Sequence, residues 1–336
     1  MKNVYTNSKS TDTPNKSKHV NKKIVTSCVE IQILSELDSI GNNTLLFQKK
    51  MGLDVNNPIE KNKVSGSINY IEGEIPSVTF DYDSHCLSVK GPLRQFNKGR
   101  ALYFLSEYMS ECLQAPYTNS LLIHAAAVYS KEKDKSYLIL GEKGSGKTTL
   151  VFRLCQELGL SLIGNDLVRI GYDENGDLFT KEGSRWFDIR ETAVKADEYM
   201  NKLATILSAK STNSWNNKTR ILPEHHSINT HFAQAKIDKI LNIRIDPYQN
   251  HFSARPWEGV QRNLILHEKI GRHISGQATP FQDDQGNYLG SLPSINRQQA
   301  SLVRDNIVRC MIHTGITELF GPNSKALSNW FKEELL

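Results

Sequence analysis

The sequence predicts an α/β protein in which a mixed-sheet domain follows a small β-rich module. Two observations lead to this fold class. A short apolar strand, a glycine-rich loop and an amphipathic helix follow one another over residues 137–158. Before them, short β-prone runs separated by turn signals precede a single helix. We therefore expect a disordered basic tail over residues 1–22, a β-rich module with a linking helix over residues 23–118, and the main domain over residues 119–336.

Charge is concentrated at the start of the chain. The 336 residues carry a formal net charge of +5, and much of the excess lies in residues 1–23, where six lysines face only Asp12. No aromatic residue beyond Tyr5 interleaves with these lysines, so the pattern indicates a solvated tail and not a nucleic-acid-binding arm. We expect no nucleic-acid partner.

Cysteine usage and hydropathy predict a cytoplasmic protein. The five cysteines are scattered, odd in number and without C-x-x-C spacing, which favours reduced thiols over disulfides or a zinc site. No apolar run is long enough to span a membrane, and the N-terminus has no apolar core of a signal peptide. We expect no membrane partner.

The elements of the first module follow from alternation and from one helical stripe. We expect a mostly antiparallel sheet and one amphipathic helix that ends before Pro116. The predicted strands cover residues 24–34, 44–47, 67–71, 77–80 and 87–89, and the helix covers residues 96–115.

For the main domain, the sequence predicts alternating strands and helices. A first strand over residues 121–128 contains a buried-looking histidine, His124, and Gly159 stands where the first helix should end. Two polar stretches, residues 208–229 and 277–293, predict irregular loops. The other strands are expected at residues 137–140, 160–163, 167–170 and 237–245, and the helices at residues 148–158, 193–207, 259–276, 298–313 and the C-terminus.

The glycine-rich loop carries the strongest chemical signal. It matches G-x-x-x-x-G-K-[ST] at every required position, between a strand and a helix as a P-loop (Walker A motif) requires. Glycines let successive backbone N–H groups curl around phosphate oxygens, and the helix N-terminus adds positive potential. We expect ATP and Mg²⁺ as cofactors, with Lys147 on the β- and γ-phosphates. The predicted binding residues are Gly141, Gly144, Ser145, Gly146, Lys147, Thr148 and Thr149.

An acidic residue follows the next strand. Asp166 comes directly after the apolar run 160–163, which is where Mg²⁺-dependent phosphoryl transfer places a carboxylate. It would hold the metal or its water, or accept a proton from an attacking hydroxyl. Thr148 and Asp166 are therefore the predicted metal ligands.

These motifs together resemble a known family. A strand with Leu-Ile-His-Ala at residues 122–125, the P-loop unit, and Leu-Ile-Gly-Asn-Asp-Leu-Val-Arg-Ile at residues 162–170 look like the kinase core of HPr kinase/phosphorylase. That family is similar to phosphoenolpyruvate carboxykinase in nucleotide fold. The resemblance covers residues 119–173. The family's Gly-Leu-Gly signature is missing after residues 188–190, so the chain looks nearer to HPr-kinase-like enzymes of peptide modification, including lasso-peptide kinases that phosphorylate a precursor's serine.

The resemblance implies roles for matching residues. Lys147 matches the phosphate lysine, Thr148 the metal ligand, and His124 the histidine that assists proton transfer or orients a phosphate. The family carries two adjacent aspartates where this chain has Asn165 and Asp166. An amide cannot act as a general base, so either Asp166 does both jobs or a carboxylate from elsewhere substitutes. By resemblance alone, we also expect a homo-oligomer.

The sequence thus predicts an ATP- and Mg-dependent kinase that phosphorylates a hydroxyl. The expected acceptor is a serine of a peptide or small protein. A kinase of a small-molecule metabolite and a nucleotide-binding regulatory protein with little transfer are the alternatives. A basic residue should complete the charge clamp on the transferred group. Arg190 and Arg185 are the first candidates because their segment follows Asp166 at once, and Arg255 and Arg262 are the next.

Overall fold

The computed structural model describes residues 20–25, 29–35, 64–96, 100–114, 118–201, 218–271, 274, 280–295 and 298–336. The strand expected at residues 44–47 and most of the tail expected at residues 1–22 lie outside these ranges. The described chain forms two large sheets, two short ribbons and the helices that cover them, which is a mixed α/β architecture. None of the helices in these ranges combines the length and apolar character needed to cross a membrane.

The N-terminal sheet is mixed and not mostly antiparallel. Its strands are β1 (Val20–Val25), β2 (Val29–Ser35), β3 (Val64–Glu72), β4 (Ser77–Asp81) and β5 (Cys86–Gly91), in the order β1-β2-β3-β5-β4. The pairs β2–β3 and β3–β5 are parallel, so the predicted topology is wrong. Residues 36–63 separate β2 from β3, which is long enough for a parallel crossover, and β5 inserts between β3 and the edge strand β4. Residues 20–22, predicted as tail, belong to β1.

Helix α1 (Arg100–Gln114) covers this sheet and begins later than predicted. The chain first makes a 3-10 turn at Leu93–Gln95, started by Pro92, and the buried Phe96 ends that turn instead of opening the helix. The Phe96 ring then stacks on the Phe281 ring at a centroid distance of 5.9 Å. The apolar stripe of α1 is buried as predicted, through Leu102, Leu105 and Met109.

The second large sheet has nine strands and contains the glycine-rich loop. Its strands are β6 (Ser120–Ile123), β7 (Ala126–Ser130), β8 (Lys135–Leu140), β9 (Ser161–Gly164), β10 (Val168–Tyr172), β11 (Leu178–Gly183), β14 (Ala235–Ile245), β15 (Ser253–Pro256) and β18 (Ile316–Gly321). The main order is β6-β10-β11-β14-β8-β7-β9, and β18 joins at β14 with β15 outside it. β14 runs parallel to β8 and β18, while the other pairs are antiparallel, so the predicted mixed sheet is confirmed.

Two short ribbons place strands in the stretches that the sequence predicted as irregular loops. β12 (Phe187–Arg190) pairs with β13 (Lys218–Ile221), and β16 (Pro280–Gln282) pairs with β17 (Tyr288–Ser291). The predictions of loops at residues 208–229 and 277–293 are therefore wrong where these strands lie. The strands of the second ribbon have only three and four residues, which is too short for hydrophobic alternation to reveal them.

The predicted strand over residues 121–128 is two strands. The chain breaks at His124 and Ala125, because β6 pairs with β10 whereas β7 pairs with β8 and β9. His124 therefore stands at the point where the chain changes partners. Its side chain is 39% exposed and not buried as the apolar run suggested.

The remaining helices agree with the predicted order except near residue 197. There the expected helix over residues 193–207 is interrupted, because the Asp197 carboxylate accepts hydrogen bonds from the backbone N–H groups of Tyr199 and Met200 and starts a new turn. The helices are α2 (Lys147–Leu158), α3 (Glu191–Ala196), α4 (Glu198–Asn201), α5 (Val260–Lys269), α6 (Gln298–Thr314) and α7 (Ser324–Leu335).

Two hydrophobic clusters hold the sheets and helices together. One is continuous from the N-terminal sheet through α1 to β6, β10 and α6, as shown by Ile31, Leu105, Val168 and Met311. The other lies on the opposite face of the nine-stranded sheet and packs α2 and α7 against it. The glycine-rich loop therefore projects from a strand that is covered on both faces.

A fully buried arginine links α1 to this sheet. Arg169 in β10 donates to Glu182 at 2.8 Å, to Glu111 at 3.1 Å and to Ser110 at 2.9 Å. The Glu111 carboxylate also accepts a hydrogen bond from the Leu122 backbone N–H at 3.0 Å. Removal of the guanidinium would leave two buried carboxylates without their shared partner.

We expect Arg169→Met to lower the free energy of unfolding by about 3–5 kcal/mol, because breaking a buried ion pair leaves uncompensated charge. Urea unfolding followed by circular dichroism measures this loss. Arg255→Met is the matched control, since Arg255 makes an exposed ion pair with Glu318 at 2.7 Å, and it should change stability little. Equal losses in the two variants would contradict the structural role of Arg169.

Candidate functional site

The glycine-rich loop over residues 141–146 connects β8 to α2 in a conformation that needs glycine. Gly146 immediately precedes α2 and has a φ of 93°, and a Cβ there would lie 2.6 Å from the Ile245 side chain. A Cβ on Gly141 would lie 2.7 Å from the Ile243 carbonyl oxygen. The Ile245 N–H also donates to the Ser145 carbonyl at 2.9 Å, so the loop is tied to the end of β14.

Lys147 is folded back onto this loop. Its Nζ donates to the carbonyl oxygens of Gly141 at 2.8 Å and Glu142 at 3.0 Å, and the residue is only 7% exposed. Burial lowers the pKa of Lys147 to about 8, with a further contribution from the nearby positive charge of Lys269. An anion in the loop would replace the two carbonyls as the partner of this ammonium group.

Asp166 lies in a turn that holds its side chain at the cleft. The turn joins β9 to β10, and Asp166 adopts a φ of 84°, which is uncommon for a residue with a side chain and clusters at functional sites. Ser184 fixes both flanks of the turn. Its carbonyl accepts from the Asn165 N–H at 2.7 Å, and its hydroxyl accepts from the Leu167 N–H at 3.2 Å.

His124, at the break between β6 and β7, pairs with Asp166 in the turn between β9 and β10. The distance from His124 Nδ1 to Asp166 Oδ1 is 3.1 Å, and both side chains are 39% exposed. When Nδ1 carries the proton, the Nδ1–H group donates a hydrogen bond to the Asp166 carboxylate. The other ring nitrogen, Nε2, is then left to contact a ligand. The pair combines a carboxylate base with a group that orients it.

These groups surround one cleft with a volume of about 340 Å³. Lys147, Asp166, His124 and Arg190 all line it, so the structure brings together the predicted catalytic residues. Gly144, Gly146, Thr148 and Thr149 line it from the loop side. Gly141 and Ser145, also predicted to bind phosphate, are buried residues of the loop and do not line the cleft.

The predicted arginines separate into one at the cleft and three elsewhere. Arg190 lines the cleft at the end of β12. The Arg185 guanidinium lies over the Phe232 ring at 3.7 Å, and Arg255 pairs with Glu318. Arg262 donates to the Trp257 carbonyl oxygen at 3.1 Å. None of these three arginines is among the residues that line the cleft in the described part of the chain.

Asn165 acts as a brace in the turn. Its side-chain amide donates to the Trp186 carbonyl at 3.3 Å, and the residue is buried. The amide oxygen is enclosed and makes no hydrogen bond within the described residues. Asn165 therefore supports the turn as a buried part of the cleft wall, and the partly exposed carboxylate beside it belongs to Asp166.

Sequence reasoning missed two further carboxylates and a lysine at this site. Asp188 and Asp197 line the cleft, and Lys269 contacts the loop through Glu142. Asp188 pairs with Arg220 at 3.3 Å, whereas Asp197 is committed to backbone N–H groups and to Arg153 at 3.7 Å. The charged stretch at residues 181–191 was a weak signal for Asp188, but Lys269 has no motif around it.

The oxygen ligands at the cleft suit a divalent cation that also contacts phosphate. Within the described ranges, no group of three or more His, Cys, Asp or Glu side chains is placed to hold a metal by itself. Thr148 and Asp166 supply a hydroxyl and a carboxylate, the hard oxygen donors that Mg²⁺ takes in small numbers beside substrate phosphates. The donor set therefore fits Mg²⁺ bound with a nucleotide.

Comparison with known proteins adds little to this geometry. A search against protein-family models and a search against curated proteins found no match. Among solved structures, the chain is similar to the Hpr(Ser) kinase/phosphatase from Coxiella burnetii, with 15% sequence identity and a TM-score of 0.25. The match covers 40% of this chain and 76% of that chain.

Proposed function

We propose that this protein is an ATP- and Mg²⁺-dependent phosphotransferase that moves the terminal phosphate of the nucleotide to a hydroxyl group. The observation that carries the proposal is the shared cleft of Lys147 and the His124–Asp166 pair. A phosphate cradle alone would fit many nucleotide-binding proteins. Here the phosphate-binding loop and a carboxylate base line the same cleft of about 340 Å³. Phosphoryl transfer to a hydroxyl requires both parts.

The phosphate side of the cleft is built from the loop and the start of α2. Gly144 and Gly146 allow backbone N–H groups to approach phosphate oxygens, and the α2 N-terminus favours negative charge. Lys147 exchanges its two carbonyl partners for phosphate oxygens. Mg²⁺ neutralises phosphate charge when bound, and Thr148 and Asp166 are the residues that would hold it.

The acceptor side contains the base and a cation. Asp166 removes the proton from the acceptor hydroxyl, directly or through His124, as the acceptor oxygen bonds to the terminal phosphorus. The bond from that phosphorus to the bridging oxygen breaks, and the electron pair leaves with the diphosphate. Arg190 lies at the same cleft and stabilises charge on the transferred group.

A serine of a peptide or small protein is the proposed acceptor. Support for this class comes from the resemblance of residues 119–173 to HPr-kinase-like enzymes of peptide modification. A metabolite kinase would use the same groups, and a nucleotide switch would use the loop without the base. The three readings differ in where the terminal phosphate goes.

The test follows that phosphate. Full-length protein is incubated with Mg²⁺ and ATP labelled in the terminal phosphate, together with a panel of serine peptides, small proteins and metabolites. Label on a peptide or protein supports the proposal. Label on a metabolite would replace the proposed acceptor class, and label retained in bound ATP would indicate a nucleotide switch.

Nucleotide affinity should depend on pH because of Lys147. A Lys147 pKa of about 8 means that the ammonium form, which binds phosphate, predominates below that pH and is lost above it. We expect the affinity for Mg·ATP to fall as pH rises past about 8, by up to about tenfold per unit, and binding near this pH to take up protons. Calorimetry between about pH 7 and pH 9.5 in buffers of different ionisation enthalpy measures both quantities. Lys147→Arg, which stays charged, should show a flat profile, and a flat wild-type profile would contradict the prediction.

A further inference from the structure

A second lysine stands beside the glycine-rich loop. Lys269 is the last residue of α5, and its Nζ lies 2.7 Å from Glu142 Oε1. Glu142 is one of the loop residues between the first two motif glycines. A charge pair therefore ties α5 to the loop that faces the cleft.

The backbone fixes Lys269 near the catalytic pair. Ile270, the next residue, forms an antiparallel bridge with Ile123, which directly precedes His124. The Ile270 N–H also caps α5 by donating to the Leu266 carbonyl at 3.0 Å. Lys269 is thus held by the main chain beside the strand break, and it is not a lysine on a freely moving surface segment.

Several charges converge at this point. The hydrogen bond from Lys269 holds the pKa of Glu142 below its usual range, and the charges of Lys147 and His124 add to the effect. Lys269 in turn contributes to the lowered pKa of Lys147. Two ammonium groups therefore lie close to Glu142, and Asp166 is a second carboxylate near enough to act on Lys147.

The two partners of the ion pair differ in freedom. The Glu142 side chain is 77% exposed, whereas the Lys269 side chain is only 23% exposed. Glu142 can swing into solvent at little cost, while Lys269 stays beside the loop. With this difference in exposure, Glu142 can pair with Lys269 when the site is empty and be displaced by an anion that binds the lysine more strongly.

We propose that Lys269 is a second phosphate-binding lysine, and that the terminal phosphate of a nucleoside triphosphate displaces Glu142 from it. The inference rests on the proposed function of the same cleft. A terminal phosphate offers more negative charge and more acceptor oxygens than the carboxylate that it replaces. A diphosphate lacks that group, so Lys269 gives the site its preference for triphosphate over diphosphate.

Calorimetry of the full-length protein tests this preference with a non-hydrolysable Mg·ATP analogue and with Mg·ADP. Lys269→Gln should weaken triphosphate binding by about 10- to 100-fold and diphosphate binding by less than about threefold, since one charge-assisted contact is lost. Lys269→Arg keeps the charge and should retain the preference. Lys236→Gln is the matched control, because Lys236 pairs with Asp177 on another surface, and it should bind both nucleotides normally.

Glu142→Gln separates a phosphate contact from a merely structural tie. If Lys269 binds phosphate, removal of the competing carboxylate leaves triphosphate affinity unchanged or raises it. A loss in Glu142→Gln equal to that in Lys269→Gln would show that the ion pair only braces the loop, and would overturn the inference. So would equal losses for the two nucleotides in Lys269→Gln. Failure of the wild-type protein to bind either nucleotide would instead reject the nucleotide site itself.

Discussion

Replacement of Lys147 by alanine is expected to abolish phosphoryl transfer, with a rate loss of about 10³-fold or more. Lys147, the first residue of α2, is a buried cation that folds back onto the loop, and its ammonium group is held by two carbonyl oxygens that a phosphate can replace. Alanine removes the charge at the point where the transferred group becomes most negative. Steady-state assays of label transfer measure the loss, and calorimetry should show weakened Mg·ATP binding.

Two further variants make this result interpretable. Lys147→Met keeps the volume of the buried stem, so it separates loss of charge from loss of packing. Lys135→Ala is the matched control, because Lys135 lies at the other end of β8 and pairs with Asp238 at 2.6 Å on the surface. Normal transfer by Lys147→Ala would remove the loop from the mechanism.

Asp166→Asn is expected to lower transfer by about 10²- to 10⁴-fold while nucleotide affinity changes by only a few-fold. Asparagine has nearly the same shape and tolerates the positive φ that Asp166 adopts, so the turn should persist. The amide can still accept a hydrogen bond, but it cannot remove a proton from an acceptor hydroxyl. Asp177→Asn is the matched control, because Asp177 does not line the cleft and pairs with Lys236 on the surface.

A magnesium titration distinguishes the two roles of Asp166. If the carboxylate serves mainly as a metal ligand, a higher Mg²⁺ concentration should restore much of the activity of Asp166→Asn. If it serves as the base, the rate should stay low at every Mg²⁺ concentration. If Asp166→Asn transfers phosphate at the wild-type rate at the standard Mg²⁺ concentration, another carboxylate does the work, and Asp188 is the first candidate because it lines the same cleft.

The local part of the site could be predicted from the sequence. The strand, loop and helix around Lys147 are adjacent in the chain, and their residue types follow from backbone needs that act over a few residues. The place of Asp166 after β9 follows for the same reason. The mixed character of the main sheet was also predictable, because the short charged turn between β7 and β8 requires an antiparallel pair there, while the helix after β8 permits a parallel one.

The long-range part could not be predicted. The break at His124 exists because β6 and β7 pair with different strands, and strand pairing leaves no mark within one apolar run. The parallel pairs of the N-terminal sheet depend on a crossover whose path hydropathy does not record. Lys269 reaches the loop from a helix far along the chain, and Ser184 holds the Asp166 turn from another strand's end.

Intact-mass spectrometry tests the central claim most directly. Wild-type protein and Lys147→Ala are each incubated with Mg·ATP and candidate serine peptides, starting with any short peptide encoded beside this protein. The proposed function predicts that a peptide gains one phosphate, about 80 Da, with wild-type protein and gains nothing with Lys147→Ala. No mass gain on any peptide or small protein, while the wild-type protein still binds Mg·ATP, would contradict it.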